Sequence, residues 1–246
     1  MNGADIIPSH SPFVSIAFCF MLFALCFLLY AYQKNAILRL NNACMKYELP
    51  AVYHRLMKKY PVVTEAEWQL LDSIATVKHI KKGDSFLRYG KVARYAAFVI
   101  SGMFKFAILD EEGNEKIVKF SFIDDFLANC ESYNKKAPSG VSIIAVEDAV
   151  VLRINIKKLQ PLYDLHMNLL HVNLQLYQEL LEQQSEHQYI LSLKSPLQRY
   201  RFLLERRPFI IQKISLTNIA RYLYTSREAL SRARLYLLDQ TRNFCD

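Results

Sequence analysis

The sequence predicts an α+β chain. An N-terminal apolar helix is followed by a double-stranded β-helix (jelly roll) with flanking helices, then a long helix, then a C-terminal helix–turn–helix. Three observations predict this. A stretch of 20 residues, Phe13–Tyr32, carries no charge. Between residues 76 and 154, short apolar runs alternate with turn signals at the spacing of a sandwich or jelly roll. Beyond Ile156 the apolar spacing becomes helical, and positive charge gathers near the C-terminus. The predicted parts are 1–45 (apolar segment), 46–163 (jelly roll), 164–191 (long helix) and 192–246 (helix–turn–helix).

As a helix, residues 13–32 would be about 30 Å long, the thickness of a bilayer's hydrocarbon layer. Lys34, Arg39 and Lys46 follow it, so the positive-inside rule places the rest of the chain in the cytoplasm, anchored by one helix. The basic n-region of a cleaved signal peptide is missing. The alternative is translation from Met45, where the globular pattern begins and residues 1–44 would not be made.

Composition narrows the rest. The 246 residues are 52% hydrophobic and 22% charged, enough to bury a core. Five cysteines with no CxxC and no close Cys/His set predict no metal site, no disulfide framework and a reducing compartment. Residues 46–189 balance 18 Lys/Arg against 18 Asp/Glu, whereas residues 190–246 carry 11 against 4. Most of the formal net charge of +8 therefore lies in the last 57 residues, which predicts a polyanion as partner.

The elements follow in order. Leu49, Val52 and Leu56 give a helix over 50–60, and Trp68, Leu71 and Ile74 another over 64–75, with Thr64 and Glu67 spaced as a capping box. Strands are predicted at 77–80, 85–89, 96–100, 103–109, 116–122, 141–146 and 150–154. Residues 111–114 read as a hairpin turn, with Gly113 and Asn114 able to take positive φ. On the long helix, Leu165, Leu169, Val172, Leu176 and Leu180 form one apolar face, and Leu174, Tyr177 and Leu181 a second. The first predicts packing on the jelly roll; the second predicts a homodimer through a short coiled coil.

A helix over 196–205 ends at Arg206–Arg207–Pro208. Two short helices are then predicted at 216–223 and 226–238, with a tight turn at Tyr224–Thr225 and Ser226 as N-cap of the second. Ala220 is small where the helices cross, and Ile219, Leu223 and Leu230 close the motif. In a helix–turn–helix the start of the second helix faces the major groove of DNA. Here that start presents Ser226, Arg227, Glu228, Ser231 and Arg232, with Thr217 and Arg221 on the preceding helix as further contacts. Arginine pairs bidentately with guanine, and glutamate accepts from cytosine N4.

This order of parts resembles the Crp/Fnr family of bacterial transcription regulators, over about residues 50–238. Three stretches carry the resemblance. KKGDSFLRYGKVARYAAFVISGMFKFAILDEEGNEKIVKF (81–120) is similar to the family's entry into its cyclic-nucleotide-binding jelly roll, VSIIAVEDAVVLRI (141–154) to its last strands, and TSREALSR (225–232) to its recognition helix. The resemblance implies base reading by Arg227, Glu228 and Arg232. It also implies an effector pocket at Phe126, Ala128, Asn129, Cys130, Gly140, Val141 and Ser142.

That pocket is degenerate. Cyclic-nucleotide-binding members carry Gly-Glu after an aromatic residue, the glutamate holding the ribose, and a later Arg-Ser or Arg-Thr gripping the phosphate. Here Ala128–Asn129 and Gly140–Val141 stand in those places. Loss of the arginine removes most of the phosphate's charge-assisted hydrogen bonds. Cyclic AMP is therefore not the expected ligand; a different small effector is. Tyr224 is another departure, because the family usually has glycine at this turn. A non-glycine residue in a left-handed conformation costs about 1–2 kcal/mol.

The function expected is a homodimeric regulator that binds double-stranded DNA, with no cofactor and no metal, its body cytoplasmic and its N-terminus tethered to the inner membrane if 13–32 is translated. The rival is a membrane-attached sensor or interaction module without sequence-specific DNA binding, its basic C-terminus meeting anionic headgroups. No nucleophile–base pair, P-loop, dinucleotide fingerprint or metal-spaced cluster points to an enzyme.

Overall fold

The computed structural model describes residues 49–242. The predicted apolar span 13–32 lies outside them, and among the described residues no helix is long and apolar enough to cross a membrane. In chain order the elements are α1 (Leu49–Lys59), α2 (Glu65–Ile74), β1 (Ala75–Ile80), β2 (Ser85–Leu87), β3 (Tyr95–Ser101), β4 (Phe104–Leu109), β5 (Glu115–Ser121) and β6 (Phe126–Leu127). They continue with α3 (Cys130–Lys135), β7 (Ser142–Ala145), β8 (Ala149–Asn155), α4 (Ile156–Leu165), α5 (Met167–Ser192), α6 (Pro196–Arg206), α7 (Pro208–Lys213), α8 (Leu216–Tyr222) and α9 (Arg227–Arg242).

The strands make two four-stranded sheets, ordered β1-β8-β3-β6 and β2-β7-β4-β5, with every pair antiparallel. Leu87, Val99, Phe104, Phe106, Leu127, Ile143 and Val151 fill the space between them. This is the predicted jelly roll. The expected capping box on α2 is present, and its Glu67 carboxyl accepts from Thr64 N at 2.8 Å and Asn168 Nδ2 at 3.1 Å. Burial acts to raise the Glu67 pKa, but these bonds outweigh it and hold the carboxyl below its usual range.

Each sheet's outer face is covered by helices. On the β1-β8-β3-β6 sheet, Phe98 and Ile154 meet Trp68, Leu71, Leu159, Leu169 and Val172 around a small apolar cavity. On the other sheet, Ile117 and Phe120 join Ile190, Tyr200, Leu203, Ile210, Ile219, Leu223 and Leu230 in one continuous core. Residues three apart in a regular strand face opposite ways. Ile117 and Phe120 share a face because the β4–β5 register slips between Phe106 and Ala107, leaving Val118 as the extra residue of a bulge. The bulge is what lets β5 hold the C-terminal helices.

Four features differ from the sequence expectation. The long helix is broken at His166, which ends α4 and begins α5, so Leu165 is the exposed last residue of α4 and not part of the packing face. The strand β6 and the helix α3 were not anticipated; each is very short. Pro208 ends α6 but also starts α7, where its fixed φ and missing N–H suit the first helical position. The hairpin turn at 110–114 takes positive φ at Gly113 alone, with Asp110 Oδ1 accepting from Glu112 N and Asn114 N.

Candidate functional site

The C-terminal unit is built around the short helix α8 and the longer α9 that follows it. Ser215 caps α8 by accepting from Asn218 N at 3.3 Å, and Ser226 caps α9 by accepting from Ala229 N at 3.1 Å. Between them Tyr224 takes a left-handed φ of 51°, and Thr225 N donates to Ala220 O at 3.0 Å. The strain expected at Tyr224 is therefore real. Two contacts meet the ring: Lys116 lies 5.5 Å from the Tyr224 ring centroid, and His187 meets the ring edge-on. Ile219, Ala220, Leu223 and Leu230 are buried, as a helix–turn–helix core requires.

This packing turns the start of α9 outward. Ser226, Arg227, Glu228 and Arg232 are exposed, Ser231 half-buried. Thr217 on α8 is half-buried. Arg221 faces a different way: its guanidinium donates to Glu115 on β5 at 2.8 Å, and Glu115 also pairs with Lys105 at 2.6 Å. Of the seven residues predicted to meet DNA, Arg221 is the one drawn onto the jelly roll.

Two residues outside the motif fix its position, and spacing gave no sign of either. Arg199 on α6 donates to Leu193 O (3.0 Å) and Leu191 O (3.1 Å) after and at the end of α5, and to Leu223 O (2.9 Å) in the turn. His187 on α5 is buried and stacks on Tyr222 with ring centroids 4.2 Å apart, its Nε2 2.8 Å from Tyr222 O. Burial pushes the His187 imidazole below its ordinary pKa, against the opposing effect of that hydrogen bond. Burial also pushes the Tyr222 hydroxyl up to about 12. Arg207 pairs with Glu186, a further tie between α5 and the C-terminal helices.

The seven residues of the predicted effector pocket do not converge. Phe126, Ala128 and Cys130 line a cleft against Asn173, Leu176 and Tyr177 of α5. That cleft is about 40 Å³, room for water but far below the roughly 300 Å³ of a small-molecule pocket. Asn129 instead caps α3 by accepting from Ser132 N at 3.1 Å, and donates to Ser139 Oγ at 2.8 Å. Val141 N donates to the same Ser139 Oγ at 3.1 Å, and Ser142 Oγ accepts from Tyr89 N at 3.0 Å. Gly140 is exposed with ordinary φ. The loop's polar groups are thus spent on one another. In the cleft, burial and a hydrogen bond with Cys130 push the Tyr177 hydroxyl up to about 12. Burial also lowers the Lys119 pKa and raises that of Asp125.

The helix α5 presents two faces, differently composed from the expectation. Leu169 and Val172 are buried and Leu176 and Leu180 line the cleft. Tyr177 belongs with them, facing Cys130, and not to the second face. Met167, Leu174 and Leu181, spaced by seven, form the open stripe at 74%, 56% and 60% exposure.

Comparison with known proteins agrees with this architecture. Residues 77–166 match the family model of the cyclic nucleotide-binding domain. No curated protein sequence matches the chain. Among solved structures, FixK2 of Bradyrhizobium japonicum is 20% identical with a TM-score of 0.59, covering 68% of this chain and 86% of its own. The c-di-GMP-responsive global regulator CLP of Xanthomonas campestris is 16% identical with a TM-score of 0.58, covering 72% and 93%. A transcriptional regulator of the Crp/Fnr family from Eubacterium rectale is 20% identical with a TM-score of 0.57, covering 74% and 86%. Residues 77–166 are thus similar to the cyclic nucleotide-binding domain, and the chain shares the fold of these solved structures, one of them a Crp/Fnr-family regulator.

Proposed function

We propose that this protein is a homodimeric transcription regulator of the Crp/Fnr type. It binds double-stranded DNA through α8 and α9 and has no pocket for cyclic AMP. The observation that carries the reading is the start of α9. A capped helix, held by buried apolar contacts, leaves Arg227, Glu228 and Arg232 exposed on a unit of excess positive charge. Lipid binding does not require that spacing. In this reading Arg227, Glu228 and Arg232 read base edges, while Ser226, Ser231 and Thr217 approach the backbone. Arg221 joins them once it leaves Glu115. The stripe Met167–Leu174–Leu181 pairs with its copy in a second chain and sets two recognition helices one DNA turn apart. Affinity falls steeply with salt, because phosphate contacts dominate it.

The test is selection from random duplex DNA with the full-length protein, alongside Arg232→Ala. A two-fold-symmetric motif that the variant fails to enrich supports the reading. A protein that enriches no motif at low or moderate salt, or one whose motif is indifferent to Arg232→Ala, overturns it.

A further inference from the structure

The most concentrated positive charge outside the C-terminal unit lies on the jelly roll. Residues 78–94 carry six Lys/Arg and a single carboxylate, Asp84. At the end of the sandwich where β1 and β2 are the edge strands, a groove of about 290 Å³ opens, lined by Lys78, His79, Asp84, Phe86, Arg88 and Arg153. Tyr95 lines it too, and with Phe86 and Arg88 continues into an adjoining groove of about 540 Å³ to which Lys91 and Arg94 contribute. The combined volume is that of a small-molecule site, unlike the cleft beside Cys130.

Arg153 is the centre of this groove. On β8 it stands opposite Ala97 and two residues from Val151, both in the inter-sheet core, so its side chain leaves the core face toward the mouth of the sandwich. Its guanidinium lies over the Tyr95 ring, 4.1 Å from the centroid. Its Nε is buried and has no hydrogen-bond partner among the described residues. A buried donor of this kind is costly unless an acceptor meets it. Lys78, Arg88, Lys91 and Arg94 have no ion-pair partner among the described residues either. The one lining carboxylate cannot balance five cations.

The wall of the groove is held in place. Gly90 N donates to Ser139 O at 2.8 Å, Ser139 N to Lys91 O at 3.0 Å, and Ala93 N to Ser132 Oγ at 3.0 Å. The cations lie in both halves of the groove, which favours a ligand with more than one anionic group. Guanidinium forks match phosphate oxygens, and the Phe86 and Tyr95 rings offer surfaces to stack a base.

We propose that this groove is a binding site for a small ligand bearing two or more phosphates, separate from the loop that corresponds to the cyclic-nucleotide pocket. The proposal rests on the jelly roll alone and stands whether or not α9 reads DNA. It is tested by isothermal titration of the full-length protein with inorganic triphosphate and with ATP. The expected result is saturable binding with one site per chain. The double variant Lys78→Gln/Arg88→Gln, both exposed, weakens it by about tenfold or more at unchanged melting temperature. Arg153→Gln weakens it likewise, with its own melting temperature as the check on folding. Lys58→Gln and Arg232→Ala leave it unchanged. Tighter binding of ATP than of triphosphate assigns the rings a part; equal binding assigns the site to phosphates alone. No saturable binding of either ligand, or equal weakening by Lys58→Gln, Arg232→Ala and the groove variants, overturns the proposal.

Discussion

Arg199 and His187 show how single side chains decide where the C-terminal helices sit. Arg199 satisfies carbonyls from two elements that do not touch in sequence, the end of α5 and the turn before α9. Charged donors to buried carbonyls are worth about 1.5–3 kcal/mol when lost. Arg199→Ala is expected to destabilise the C-terminal helices by about 2 kcal/mol, and Arg199→Lys to rescue little, since an ammonium cannot span the fork. Thermal unfolding of the two variants measures this. His187 makes the same junction sensitive to acid. Its folded pKa is lowered by burial between Tyr222 and Tyr224. Below about pH 6.5 the unfolded chain therefore takes up a proton that the folded chain does not. Stability should fall as pH drops from 7 toward 5.5, and His187→Asn should flatten that slope in melting curves taken at each pH.

At the scale of elements, the segment 126–142 is closed on itself. Asn129, Ser139 and Ser142 hydrogen-bond to their neighbours, and no cation stands at Gly140 or Val141. Titration of the full-length protein with cyclic AMP should show no saturable binding at micromolar concentration. Saturation there would mean that this segment opens and that its hydrogen bonds are not a fixed feature. The helix–turn–helix is an element of another kind. Its two caps, its small crossing residue Ala220 and its buried Ile219, Leu223 and Leu230 all agree with one another. Such agreement between local signals and packing is what made it legible.

At the scale of the described molecule, one helix, α5, packs against both the jelly roll and the C-terminal helices. It closes the jelly roll through Leu169 and Val172, holds the C-terminal helices through His187 and Ile190, and leaves Met167, Leu174 and Leu181 open. Because the last two are exposed, Leu174→Glu/Leu181→Glu should leave the single chain folded. Light scattering is expected to change from dimer to monomer, and affinity for a symmetric DNA site to fall by about a hundredfold, as one half-site is lost. A dimer of unchanged mass would remove the stripe from the interface.

Much of this was written in local pattern. The jelly roll, the capping box at Thr64, the turn at Tyr224 and the exposed start of α9 follow from period, cap chemistry and turn residues, which act over a few positions. Tertiary structure alone decided the rest. Arg221 is drawn to Glu115 across 106 residues, Arg199 finds the turn 24 residues on, and Tyr177 faces Cys130 instead of a partner chain. Arg153 ends beside Tyr95 because β3 and β8 pair, and Ile117 shares a face with Phe120 because β5 bulges. These are contacts between elements distant in sequence. Their geometry is set by register and by the fit of one layer on the next, and neither is encoded in the spacing of any single segment.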